Sequence, residues 1–255
     1  MMTRSVDYDA LADSYDRRFE RSEYSGVERA LREFAGGGRA LRAAEVGCGT
    51  GHWLGKLWPG TRVTGLDPSE QMLARAHRAL PEVPLARGRA EHLPWRDASF
   101  DRLFCVNALH HFADRPTFAA EARRVLRSGG GLLTAGMDPH ASGQRWWIHD
   151  YFPATLAGDL VRYPAAAEIR TLLQSAGFVR VETREVQHTP VTLPARIALE
   201  QGFADKDATS QLVLLTLEDY QQGLSRLRQA AAAARGEEPL LVADMRLYAT
   251  TGWVG

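Results

Sequence analysis

Glu45-Val46-Gly47-Cys48-Gly49-Thr50-Gly51 is the stretch of this chain best fitted to chemistry. It follows a short apolar run and precedes a helical pattern. Three glycines at alternate positions let a backbone turn approach a ligand that side chains would exclude. A helix beginning after them offers unpaired N–H groups and the positive end of its dipole to an anionic group. Asp67 closes a second apolar run, Val63-Thr64-Gly65-Leu66, sixteen residues beyond Gly51. A glycine turn after one strand and a carboxylate after the next describe a nucleoside-binding βαβ unit. A dinucleotide fingerprint would carry its third glycine at position 52, where this chain has His52. The turn alone leaves the nucleoside open.

These residues need a sheet to hold them. Candidate strands lie at 41–46, 62–66, 83–87, 101–106 and 131–137, with helical patterns near 51–58, 69–79 and 115–127. Asp114 can N-cap the last helix and Gly129 can end it. The alternation implies a parallel, doubly wound sheet. Right-handed crossovers then bring all strand C-termini to one edge. Gly47, Asp67, Arg89-Ala90-Glu91 and Asn107 fall at or just after strand ends, so they converge there. Farther on, Pro164 can start a helix with Ile169, Leu172 and Leu173 on its apolar face, and Phe178 to Val186 reads as a strand. Residues 188–242 read as helical, with a capping-box-like start at Thr216, and Met245 to Trp253 as a final strand.

Composition narrows the classes. The chain has 255 residues, 45% of them apolar, enough for a sizeable core. Its formal net charge is zero, which argues against a whole-surface nucleic-acid or membrane footprint. Cys48 and Cys105 form neither a disulfide framework nor a metal spacing, so no metal is expected and a reducing, cytoplasmic compartment fits. No apolar run reaches membrane-spanning length. Charged Met1-Met2-Thr3-Arg4 lacks a following apolar run, so no signal peptide is expected.

Six segments occur in order: Glu45 to Gly51, Leu66-Asp67-Pro68-Ser69, Ala90-Glu91-His92-Leu93-Pro94, Ser99-Phe100-Asp101, Asn107-Ala108-Leu109-His110-His111-Phe112, and Glu121 to Gly131. Together they resemble class I S-adenosylmethionine-dependent methyltransferases, of the branch acting mostly on small molecules. The resemblance covers about residues 40–138. It implies an α/β fold: a Rossmann-like, doubly wound, seven-stranded sheet, mostly parallel with an antiparallel last strand, plus a helical cap. The chain would be a single domain (1–255), with a helical leader (1–35), the cofactor core (40–138) and a helical lid insertion (188–242).

The resemblance also assigns roles. Gly47, Gly49 and Gly51 would let the backbone approach the methionine part of S-adenosylmethionine, whose product is S-adenosylhomocysteine, and Glu45 would also bind the cofactor. Asp67 would accept from both ribose hydroxyls, a bidentate task suited to a carboxylate. Pro68 and Met72 would lie along the ribose and adenine edge, Ala90 and Glu91 at the adenine rim, and Asn107 near the sulfonium. Arg89, a donor only, stands where the family often has an acid that accepts from the adenine amino group. The leader segment Tyr8 to Asp16 looks like the family's, placing Tyr15, Arg18 and Tyr8 at cofactor or substrate. His110, His111 and Tyr15 are the candidates for proton handling. The Leu-His-His-Phe run belongs to the family pattern whatever the substrate, and positioning alone can supply much of the rate of methyl transfer. Tyr8, His111, Trp146, Trp147 and Tyr151 would contact a small hydrophobic or aromatic acceptor. No nucleic acid or membrane partner is expected, and the oligomeric state is open. The alternative is an enzyme or binding protein of this fold that uses bound S-adenosylmethionine without methyl transfer.

Overall fold

The structure is a computed structural model and describes residues 6–12, 15–17, 19, 23–36, 41–233 and 239–255. The chain divides into two compact units, a larger one holding Tyr8–Asp138, Pro164–Gln187 and Leu247–Gly255, and a smaller one built from Pro139–Tyr163 and His188–Arg246.

In chain order the larger unit contains α1 (Tyr8–Leu11), α2 (Ser25–Phe34), β1 (Arg42–Val46), α3 (His52–Leu57), β2 (Arg62–Asp67), α4 (Glu70–Ala79), β3 (Leu85–Arg87), β4 (Phe100–Val106), α5 (Arg115–Val125) and β5 (Leu126–Met137). The chain enters the smaller unit with β6 (Arg145–Trp146), α6 (Trp147–Tyr151) and α7 (Ala154–Arg162). It returns with α8 (Ala166–Ser175) and β7 (Val179–Pro194). The chain closes with α9 (Ala195–Glu200), α10 (Ser210–Leu214), α11 (Leu217–Ala233) and β8 (Leu240–Trp253).

The larger unit has the strand order β3-β2-β1-β4-β5-β8, with β7 paired to β8. The first five strands are parallel, and residues 247–253 of β8 run antiparallel to β5, from Gly131 opposite Trp253 to Met137 opposite Leu247. This is the expected Rossmann-like, doubly wound sheet with an antiparallel last strand. Both faces are covered, so the strands carry apolar side chains in both directions. On β4, Leu103 and Cys105 join a cluster with Phe118 and Leu132, while Phe104 and Val106 join one with Leu31, Leu54 and Leu133. Helix starts follow local chemistry. The side chain of Ser69 accepts from the Met72 N–H (3.1 Å) to cap α4, and that of Asp114 accepts from the Thr117 N–H (3.0 Å) to cap α5.

Several boundaries depart from the sequence reading. Among the described residues there are eight strands where seven are expected, the extra one being the two-residue β6, antiparallel to β8 in the smaller unit. Helix α5 ends at Val125, because Leu126 pairs directly with Phe100; Gly129 therefore lies within β5 and does not end the helix. The expected helical stretch 188–242 is flanked by strand: β7 runs on to Pro194 and β8 begins at Leu240. The smaller unit has its own apolar core of Trp147, Ile148, Phe152, Leu212, Leu227 and Leu241. Among the described residues no helix is long and apolar enough to cross a membrane.

Arg124 on α5 organises the loop after β3. Its guanidinium donates to Glu121 (2.6 Å), Asp97 (2.8 Å) and the carbonyl oxygens of Leu93 (3.0 Å) and Trp95 (2.8 Å). Charge-assisted bonds to backbone oxygens hold a loop more firmly than an exposed ion pair alone. Arg124→Met should cost about 2 kcal/mol of stability in urea unfolding. It should also raise amide exchange over residues 91–98 before any change in the sheet.

Candidate functional site

The site lies at the C-terminal ends of β1, β2 and β4. The turn after β1 is stitched to β2 through the Gly47 and Cys48 N–H groups, which both donate to the Leu66 carbonyl oxygen (2.8 and 3.0 Å). Gly47 takes φ +78°, and a Cβ there would stand 2.6 Å from the Ala108 Cβ, so both backbone and space demand glycine. The open side of Gly49 faces the Tyr15 ring, 3.6 Å from where a Cβ would be. Gly51 serves packing: a Cβ would lie 3.2 Å from both Ala76 Cβ and Leu80 Cδ1 on and just beyond α4.

Asp67 ends β2 with its side chain only 8% exposed. One carboxylate oxygen accepts from the Gly49 N–H (2.8 Å) and the other from the Ser69 N–H (2.9 Å). Burial pushes its carboxyl above the ordinary value against the pull of those two N–H groups, and Asp9 adds to the push. Each oxygen retains a second acceptor position. Glu45 on β1 is 1% exposed, and neither carboxyl oxygen has a hydrogen-bond partner; the Leu54 N–H approaches without completing a bond. Burial pushes its carboxyl well above the ordinary value, with Asp67 adding to the rise.

The leader is fastened to this edge by contacts the sequence reading missed. Asp9 accepts from the Ser69 hydroxyl (2.6 Å) and the Gln71 N–H (3.0 Å). Asp16 accepts from the Thr50 hydroxyl (2.5 Å), and Phe19 stacks on His52 with centroids 3.7 Å apart. The signal was present, since each of the two tyrosines singled out in the leader, Tyr8 and Tyr15, is followed by an aspartate. The Tyr8 hydroxyl is 2.5 Å from His111 Nε2, and the Tyr8 and Tyr15 rings meet edge to face at 5.9 Å. Arg18 lies outside the described residues.

After β4, Asn107 takes the left-handed conformation (φ +51°) and its N–H donates to the Ala135 carbonyl oxygen (2.8 Å). His110 and His111 follow on a 3-10 turn (Leu109–His111), their rings 3.9 Å apart, with His111 exposed. Tyr8, Tyr15, Gly47, Gly49, Asp67, Asn107 and His111 therefore gather around these three strand ends. Other expectations fare differently. Glu91 accepts from the Ala113 and Asp114 N–H groups (2.8 and 3.2 Å) and pairs with Arg89 (3.4 Å), so it ties the loop after β3 to the start of α5. Burial raises its carboxyl, but those donors and Arg89 outweigh it and hold the group below its ordinary value. Met72 is fully buried beneath the α4 cap, Ala90 is buried, and Pro68 is exposed with its carbonyl oxygen accepting from Arg87 (3.1 Å). Trp147 belongs to the core of the smaller unit, with half-buried Trp146 and Tyr151 packed against that core. Among the described residues no group of His, Cys, Asp and Glu could hold a metal ion.

Comparison with known proteins agrees with this geometry. Residues 44–134 match the family described as a methyltransferase domain. Over 124 residues the chain is 40% identical to malonyl-(acyl-carrier protein) O-methyltransferase of Erwinia pyrifoliae, covering 48% of this chain and 46% of that protein. Over 147 residues it is 31% identical to a protein of Mycolicibacterium smegmatis described as an S-adenosylmethionine-dependent methyltransferase, covering 56% of this chain and 54% of that one. The chain thus matches about half the length of each relative. A solved structure described as a methyltransferase from an antibiotic biosynthesis pathway of Anabaena variabilis aligns with a TM-score of 0.69. That alignment spans 90% of this chain and 98% of the other at 24% identity, a likeness of fold. The residues present fit S-adenosylmethionine, the cofactor on which the relative from Mycolicibacterium smegmatis is described as depending. Asp67 offers two acceptor oxygens for neighbouring hydroxyls, Gly49 presents bare backbone, and Glu45 is a buried carboxyl lacking a partner.

Two outcomes follow from the geometry. Gly47→Ala should lower stability by about 2 kcal/mol through the strained φ and the Ala108 clash, measured by thermal unfolding. Docking of the leader should weaken in acid. Hydrogen bonds from Ser69 and Gln71 hold the Asp9 carboxyl below its ordinary value. The docked state therefore gains full stability above that ordinary value and loses it as pH falls through the lowered one. Protection of the Gln71 amide, corrected for intrinsic exchange, should drop on acidification in the native chain and stay low and flat in Asp9→Ala.

Proposed function

We propose that this chain, a member of the class I S-adenosylmethionine-dependent methyltransferases, moves a methyl group to an oxygen, nitrogen or carbon of a small hydrophobic or aromatic acceptor. The observation that carries the reading is the Asp67 carboxylate fixed between the Gly49 and Ser69 N–H groups at the strand ends. When bound, the cofactor supplies an electrophilic methyl group on a positively charged sulfur.

The chain's own residues bind, orient and shield. Asp67 holds hydroxyl donors in one orientation, because its rotamer is fixed by two backbone bonds. Tyr15 covers Gly49 and excludes water there. Asn107 directs a polar side chain from the end of β4, where its left-handed backbone turns the chain outward. Tyr8 holds His111 Nε2, so this pair can fix the polar end of an acceptor, and the imidazole can take a proton from it where the acceptor needs to lose one. Trp146 and Tyr151 remain the substrate-contact candidates of the smaller unit.

A small molecule suits the site better than a nucleic acid. Nucleic-acid amino methyltransferases usually carry an Asn/Asp-Pro-Pro-aromatic element after the fourth strand, where this chain has Asn107-Ala108-Leu109-His110. The zero net charge agrees, and two buried free cysteines suit the cytoplasm.

Calorimetry should show S-adenosylmethionine binding and no NAD binding. Asp67→Asn should weaken that binding about 10- to 100-fold while the chain stays folded, the worth of charge-assisted bonds to two hydroxyls. Incubation with acceptor panels should give S-adenosylhomocysteine and products heavier by one methyl, read by mass spectrometry. A product that gains no methyl while the cofactor stays bound would favour the non-transferring alternative.

A further inference from the structure

Glu45 is a side chain that the reading above leaves without a chemical state. It sits on β1, two residues before Gly47, fully enclosed, and both its oxygens lack hydrogen-bond partners. Every ionisable group acting on it makes a negative charge harder to keep. Asp67 faces it from β2, Cys48 from the turn and Cys105 from β4, and α3 contributes only the nearby Leu54 N–H. The other ionisable groups of α3 are engaged elsewhere, Lys56 with Glu28 (3.2 Å) and His52 with Phe19. An unpaired charge in such a place loses its hydration with little in return, whereas a neutral acid loses far less.

We propose that Glu45 is a neutral carboxylic acid in the cofactor-free chain and ionises when the positively charged cofactor binds, so that binding expels a proton. The inference rests on S-adenosylmethionine being the ligand of this site. In the step, the Glu45 O–H bond breaks, the electron pair stays on the carboxylate, and the proton passes to solvent. The cation supplies the attraction that the fold itself withholds, and Asp67 remains ionised throughout on its two N–H donors. The high carboxyl value already described for Glu45 is consistent with this. Cofactor affinity should then rise with pH, by about tenfold per unit where one proton is released.

The test is titration calorimetry of the full chain with S-adenosylmethionine in two buffers of different ionisation enthalpy. A pH near 6.5 keeps the cofactor's own amino group protonated on both sides of the equilibrium. The native chain should release up to one proton and Glu45→Gln, which imitates the neutral acid, should release none while still binding. Infrared spectra of the cofactor-free chain should show a protonated-carboxyl band that Glu45→Gln lacks. Binding without proton release, release that survives in Glu45→Gln, or absence of that band would each overturn the proposal. Failure of the cofactor to bind at all would instead sink the cofactor reading, and the release with it. Should Glu45→Gln not fold, the two-buffer result on the native chain and its infrared band with isotope-labelled glutamate decide the matter.

Discussion

The carboxylate of Asp67 ties together the turn after β1, the start of α4 and, through Ser69, the leader. It takes the Gly49 N–H from the turn after β1 and the Ser69 N–H from the start of α4. Ser69 in turn caps α4 through Met72 and donates its hydroxyl to Asp9 of the leader. Without Asp67 the Gly49 and Ser69 N–H groups would lose their acceptor at a place with little access to water, which is costly. The arrangement therefore fixes the turn, the helix start and the leader in one step. It also gathers negative charge. Asp67, Asp9 and Asp16 lie along one edge, compensated by backbone N–H groups and by hydroxyls from Ser69 and Thr50. Such an edge favours a ligand that brings hydroxyl donors and positive charge, and S-adenosylmethionine brings both.

Much of this was legible in the sequence because it depends on local spacing. The alternation of apolar runs and helical patterns gives the sheet order, since right-handed crossovers leave few alternatives. Gly47, Gly49, Asp67 and Asn107 are found at strand ends because strand ends are visible in the pattern. What escaped depends on contacts between distant residues. Nothing local says that Glu91 will meet the N–H groups of Ala113 and Asp114, or that Asp9 will meet Ser69. Gly51 shares its neighbours' spacing, and only the packing of Ala76 and Leu80 shows that its missing side chain makes room for a helix. Met72 reads as an edge residue until the leader is seen to cover the α4 start. The expected strand ends at Val186, yet β7 continues through Pro190 to Pro194, and a two-residue strand such as β6 has no period to read.

The two units divide the work of packing between separate cores. The donor-side residues Glu45, Gly47, Gly49, Asp67 and Asn107 stand among two apolar clusters that lie wholly in the larger unit. The smaller unit has its own cluster, where Gly223 lets α11 press against the Phe152 ring and Tyr220 stacks on Phe152 at 5.9 Å. Several of its buried polar side chains meet one another: Asp159 meets His149 and Gln211, and Gln211 meets Tyr163.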